Sequence, residues 1–256
     1  MPQRGICKLC RQEKDLCDSH YLPKALYRRL KREGGGDPII MTPNLVVSSS
    51  RQVRDFVFCA ECEQRLNLGG EQYAMSLVAN GNGFPLRDMF SNAPIQRTSP
   101  FLRLPGKHVR LDTTKLAHFA IGLLWKGAVH SWQTVARQRT KVRPFPIMEN
   151  VRRYLLNEES LPDGMLVFVM VCLDGLSQTQ SNAPYLVGGY EAEHRYEMLI
   201  KGIRFHIAFD RPQKEIDQFC CVHSGDHAIF ATDCHDSTLS SVKHFYDMAR
   251  HAKNLP

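Results

Sequence analysis

Apolar positions recur at helical spacing in "LPKALYRRLKR": Leu22, Ala25, Leu26 and Leu30 share one side, and the cations Lys24, Arg28, Arg29, Lys31 and Arg32 make a basic face. Pro23 suits a first helical turn, and "EGGGDP" ends the helix. The next stretches, "IIMTPNLVVSSS" and "RDFVFC", are rich in Val, Ile and Phe with a serine-rich turn between them, which predicts strands. Helical periodicity returns in "CEQRLNLGGEQYAMSLVAN", where Gly69 and Gly70 either weaken the middle or split it into two helices. From Ser91 to Asp112 the chain is rich in Pro and Ser, and "SNAPIQRTSPFLRLPG" reads as a linker or crossover. That places a domain boundary between residues 1–95 and 96–256.

The strongest helical pattern is "DTTKLAHFAIGLLWKGAVHSWQTVARQ", with Thr113 or Thr114 as N-cap and Leu116, Phe119, Ala120, Leu123, Leu124, Gly127 and Ala128 on the apolar face. A shorter helix is predicted in "FPIMENVRRYLLNEES", stopped by "LPDG". Strands then dominate. "MLVFVMVCLDG" is a continuous apolar run suited to a strand buried on both faces, and "YLVGGYEAEH", "YEMLIKGIRFHIAFD" and "HAIFATD" follow. The chain closes on "DSTLSSVKHFYDMARHAKN", a helix capped by Asp236 and Ser237. The expected class is α+β, with a small zinc-binding unit followed by an α+β domain whose sheet is mainly antiparallel.

Composition adds limits. At 256 residues with 43% hydrophobic content the chain can bury a real core, and 33 Lys and Arg against 26 Asp and Glu give a formal charge of +7. That balance favours phosphate-rich partners, although an ordinary basic protein carries it equally well. The N-terminus lacks an apolar signal core and no uncharged apolar run approaches the length of a membrane span, so a cytoplasmic protein without a membrane partner is expected.

Nine cysteines include two C-x-x-C pairs, Cys7 with Cys10 and Cys59 with Cys62, and leave an odd set of five, which does not read as a disulfide framework. Each pair forms a tight knuckle, and the intervening strands can return the second to the first, so the four thiolates together predict one tetrahedral structural zinc. A rival grouping is Cys7, Cys10, Cys17 and His20, complete within one segment.

A C-x-x-C pair, "SHYLP", β-rich sequence containing "NL", and a second C-x-x-C opening a helix in "CAECEQRLN" together resemble the HNH nucleases with a treble-clef zinc, over roughly the first 75 residues. The resemblance implies a ββα-metal site. By it, His20 is the general base, Asn44 orients that base, and Glu63 stands where the family has His or Asn facing a catalytic Mg²⁺ or Mn²⁺. Ser19 occupies the place usually held by a metal-binding Asp, and Asn44 lies farther upstream of Cys59 than is usual. The implied activity is metal-dependent cleavage of nucleic acid, DNA in the first place, with bacterial defence or mobile elements as settings. Glu71 is a further candidate ligand. Arg28, Arg29, Lys31 and Arg32 are the candidate substrate-binding cations, with Arg137, Arg139, Lys141 and Arg143 as a second basic group. The second domain is left to a protein partner, to homo-oligomerisation or to control.

Plain structural rivals accompany these readings. His20 can pack beside the knuckle, Glu63 can be a first-turn acid favoured by the helix dipole, and Glu71 can be a solvated helix residue. His118, His130 and His206 read as ordinary core or surface residues. "CCVHSGDH" reads as a loop between strands, or as a metal cluster or Cys/His nucleophile site. A zinc-stabilised module that binds nucleic acid or protein without catalysis is the alternative function.

Overall fold

The computed structural model describes residues 3–42, 45–98, 100–135, 137, 139–187 and 194–252. The N-terminal part begins with β1 (Gln3–Ile6) and β2 (Glu13–His20), an antiparallel hairpin pairing Gln3 with Leu16 and Ile6 with Glu13. Next come α1 (Lys24–Glu33) and a separate antiparallel hairpin of β3 (Ile39–Thr42) and β4 (Leu45–Ser48). The strand β5 (Arg54–Cys59) then returns to pair with β2, giving the sheet order β1-β2-β5 and leading directly into α2 (Ala60–Leu66). A π-helical turn at Asn67–Glu71 joins α2 to α3 (Gln72–Leu77), and α4 (Pro85–Asp88) follows.

The two glycines that looked like helix breakers sit in that π-turn for a packing reason. A Cβ on Gly70 would collide with the Lys115 carbonyl oxygen, and one on Gly69 would run into the His118 ring. Only hydrogen side chains let the turn lie directly on the long helix that crosses it.

That helix, α5 (Thr113–Val129), is the hub. Fourteen of its residues, from Thr113 to Ala128, are buried, including Trp125 and the charged Lys126. Its N-cap is Asp112, whose carboxylate accepts the Lys115 N–H at 3.0 Å, in place of the expected Thr113 or Thr114. It also ends earlier than its sequence pattern, at Val129. Trp132 is fully buried, and its indole N–H donates to the Lys126 carbonyl at 2.9 Å, so the chain turns back and caps the helix end. Arg139 therefore lies on a short hairpin, β8 (Trp132–Gln133) with β9 (Arg139–Thr140), and not on the helix.

The segment expected to be a linker supplies two strands, β6 (Gln96–Thr98) and β7 (Phe101–Pro105), which pair with each other at one edge of a seven-stranded sheet. After α6 (Met148–Leu155), β10 (Leu166–Cys172) and α7 (Gly175–Thr179) come β11 (Tyr185–Leu186), β12 (Arg195–Ile200), β13 (Ile203–Ala208), α8 (Gln213–Phe219), β14 (Ala228–Thr232) and α9 (His235–Ala252). The strand order is β11-β12-β13-β10-β14-β7-β6, antiparallel throughout except where β10 runs parallel to β14. The class is the expected α+β with mainly antiparallel sheets and a cysteine cluster near the N-terminus.

Side-chain alternation divides the large sheet. Val167, Val169, Ile203, Phe205 and Ile207 belong to the main apolar cluster, and Phe205 meets Phe119 of α5 edge-on at 5.8 Å. Met170, Cys172, Leu199 and Cys234 form a second, smaller cluster with Phe101 and Phe168 packed against it. The main cluster runs without interruption from Cys7 to Ala231. No helix among the described residues is long and apolar enough to cross a membrane.

Candidate metal centre and active site

Cys7 and Cys10 lie in the tight turn between β1 and β2. The Cys7 N–H bonds the Gln12 carbonyl and the Arg11 N–H bonds the Cys7 carbonyl, both at 2.9 Å, with Arg11 left-handed at φ 60°. Cys59 ends β5 and Cys62 sits in the first turn of α2, so pairing β2 with β5 closes the two knuckles on each other. All four sulfurs lie within 4.8 Å of one another, with Cys10 and Cys59 at 3.9 Å. Bond lengths near 2.3 Å in a tetrahedral zinc thiolate put neighbouring sulfurs roughly 3.8 Å apart, so this donor set fits zinc.

Thiol acidities in the cluster are divided unevenly. The hydrogen bond from Cys62 is the main reason Cys7 is brought down to about 4, and the same contact pushes Cys62 upward; burial is the main cause raising Cys59 to about 11. Four crowded sulfurs sharing protons are what a divalent cation converts to four thiolates. The rival set is not assembled: Cys17 and His20 stand outside the group. Cys17 is raised by burial and then by the charge of Glu63.

β2 ends at His20, which pairs across the sheet with Arg54, while Ser19 pairs with Asp55. Ser19 is buried; its hydroxyl accepts the Phe58 N–H at 3.2 Å and donates to the Cys17 carbonyl at 3.4 Å. It holds backbone where the HNH pattern carries a carboxylate. By strand alternation Asp18 shares the His20 face, and it pairs with Arg54 at 2.5 Å. Asp55 meets the His130 Nε2 at 3.0 Å. Glu63 lies in the first turns of α2, directly after Cys62. Its Oε1 is buried and has no hydrogen-bond partner among the described residues. A lone orphaned carboxylate oxygen fits a hard cation as one ligand, and no second cluster of metal-ligating side chains is found among the described residues.

Lys126 was not singled out in the sequence, although a lone lysine in "GLLWKGAV" was the available signal. Only 3% exposed, it pairs with Glu71 at 3.7 Å, donates to the His20 carbonyl at 3.4 Å and stands 5.9 Å over the Phe58 ring. Glu71 is thus engaged in an ion pair with the long helix.

Asn44 lies outside the described residues. On α1, Lys31 is paired with Asp37 at 2.9 Å and Arg29 donates to the Val78 carbonyl at 3.5 Å. Arg28 and Arg32 are exposed and have no ion pair among the described residues. "CCVHSGDH" joins α8 to β14. Cys220 and Cys221 are fully buried in it, and Asp226 is tied to Arg103 at 2.6 Å. His206 contacts Glu197 at 3.4 Å on the sheet. Compared with known proteins, the chain matches no family model, no curated protein and no solved structure.

Proposed function

We propose that this chain is an HNH-like endonuclease that hydrolyses phosphodiester bonds of DNA with help from a divalent metal. The supporting observation is the strand-strand-helix unit closed by the four-cysteine cluster: β2 ends in His20, β5 returns beside it, and α2 opens with Cys62 and Glu63.

In this reading Cys7, Cys10, Cys59 and Cys62 hold a structural zinc that fixes the helix against the strand pair. His20 accepts a proton from the attacking water, and the Lys126 contact to its carbonyl fixes the strand end that carries it. Glu63 offers its unpartnered oxygen to Mg²⁺ or Mn²⁺, oxygen being the donor those ions prefer. When bound, such an ion would neutralise developing charge on the phosphoryl oxygens. Arg28 and Arg32 present free positive charge for the backbone of the substrate.

A second reading, a zinc-stabilised module that binds nucleic acid or a partner protein without cutting, is favoured by one observation. The carboxylate position before His20 is filled by a buried, hydrogen-bonded serine. Cleavage of supercoiled plasmid with Mg²⁺, Mn²⁺ or EDTA, comparing the wild type with His20→Ala and Glu63→Ala at equal zinc content, separates the two.

A further inference from the structure

Residues 130–148 carry Arg137, Arg139, Lys141 and Arg143 and no acidic side chain. The fold places the first three of these cations on or beside the hairpin β8–β9, where Gln133 pairs with Arg139. The hairpin packs beside β5 and is anchored at the end of β2: Trp132 stacks on Tyr21, the residue after His20, with ring centres 5.2 Å apart. On its other strand the Val142 N–H donates to the Gly127 carbonyl of α5 at 2.9 Å. Trp132 and Val142 are buried, so strand alternation turns Arg139 and Lys141 outward; both are exposed, as is Arg137.

The neighbouring charges leave this group positive. Arg54 and Asp18 cancel as a pair, and Asp55, held by His130 at 3.0 Å, is the carboxylate of β5 that stands against the three hairpin cations. None of the three has an ion pair among the described residues. Four thiolates around zinc carry two net negative charges, but they gather at the Cys59 end of β5, a strand length from Asp55 and Arg54, roughly 16 Å or twice the screening length at physiological salt. A second basic element adjoins the same end of β2. Helix α1 starts at Lys24, and Lys24, Arg28 and Arg32 are exposed without an ion pair among the described residues.

We propose that hairpin β8–β9 and the exposed face of α1 together grip the phosphate backbones of duplex DNA and lay the duplex across the end of β2. Unopposed cations on two separate elements suit the paired backbones of a duplex. Single-strand binders interleave their cations with exposed rings, whereas Tyr21 and Trp132 are buried in the anchor and offer no face to a base. That the duplex lies over His20 for cutting rests on the nuclease reading; the grip itself does not.

Fluorescence anisotropy of the zinc-loaded full chain without added Mg²⁺ or Mn²⁺ tests it, using a short labelled DNA duplex and one of its strands across a salt series. The duplex should bind more tightly than the single strand. Arg139→Ala combined with Lys141→Ala should weaken duplex binding about tenfold or more and flatten the dependence of log affinity on log salt by roughly two. Arg139→Lys with Lys141→Arg should retain most of the affinity, and Lys214→Ala, at an exposed position of α8, should leave it unchanged. Duplex binding without nicking when Mg²⁺ or Mn²⁺ is added would support the grip while counting against the nuclease reading. The proposal is overturned if the duplex does not bind at low salt, if the single strand binds as tightly, or if the double alanine variant, with normal zinc content and melting temperature, binds and nicks like wild type.

Discussion

Buried polar side chains carry much of what is specific to this molecule. Lys126 is a charge inside the apolar hub, kept there by Glu71, the His20 carbonyl and the Phe58 ring. His118, on the same helix, is 5% exposed and packs between Gly69 and Tyr154, whose ring centre is 5.7 Å away. Burial holds His118 below its ordinary value near 6.5, and burial does the same to His206 on the large sheet. A histidine depressed in the folded state binds fewer protons than in the unfolded chain, so its neutral burial is undisturbed above about pH 6.5 and stability is lost as pH falls below that. Thermal denaturation from pH 7.5 to 5, with zinc content followed in parallel, should show a falling melting temperature, and His118→Gln should make the fall shallower. A melting temperature that rises on acidification contradicts this assignment.

Among helices and strands, local signals were legible and distant partners were not. The C-x-x-C spacing announced the four-cysteine cluster because a knuckle is written in four consecutive residues. The helical pattern runs past the end of α5 because the residue that ends the helix, Trp132, acts by folding back onto the Lys126 carbonyl, a contact that periodicity does not contain. The Pro- and Ser-rich segment became β6 and β7 because β14 pairs with β7, joining Ala228 to Pro105 and Ala231 to Leu102 across more than half of the chain's remaining length. Ser19 stands where the HNH pattern has a metal-binding Asp, and its hydroxyl serves the Phe58 amide. Gly69 and Gly70 divide the helical stretch in two, as its sequence suggests, and the structure adds the reason, their close approach to α5. Gly70→Ala should therefore destabilise by about 1–3 kcal/mol in urea denaturation, an overpacking cost. Gly36→Ala, where a Cβ meets nothing within 4 Å, should change stability by less than about 0.5 kcal/mol. Equal effects at the two positions would refute the packing account.

Residues 1–95 and 96–256 share their apolar cluster, and ion pairs reinforce the connection: Lys201, 3% exposed, meets Glu33 of α1 at 2.6 Å. Loosening the cysteine cluster should accordingly be felt in the large sheet. Elemental analysis should find roughly one zinc per chain, and Cys59→Ser should lose it and lower the melting temperature of the entire transition, since metal binding is folding free energy. Full zinc content and normal stability in that variant would exclude the four-thiolate site. The histidine at the end of β2 is the remaining question, and plasmid cleavage addresses it. Zinc-loaded wild type with Mg²⁺ or Mn²⁺ should nick supercoiled DNA, EDTA should stop it, and His20→Ala and Glu63→Ala should reduce the rate by about a hundredfold or more at unchanged zinc content. Intact plasmid with the folded, zinc-loaded wild type, or undiminished nicking by His20→Ala, would contradict the nuclease reading.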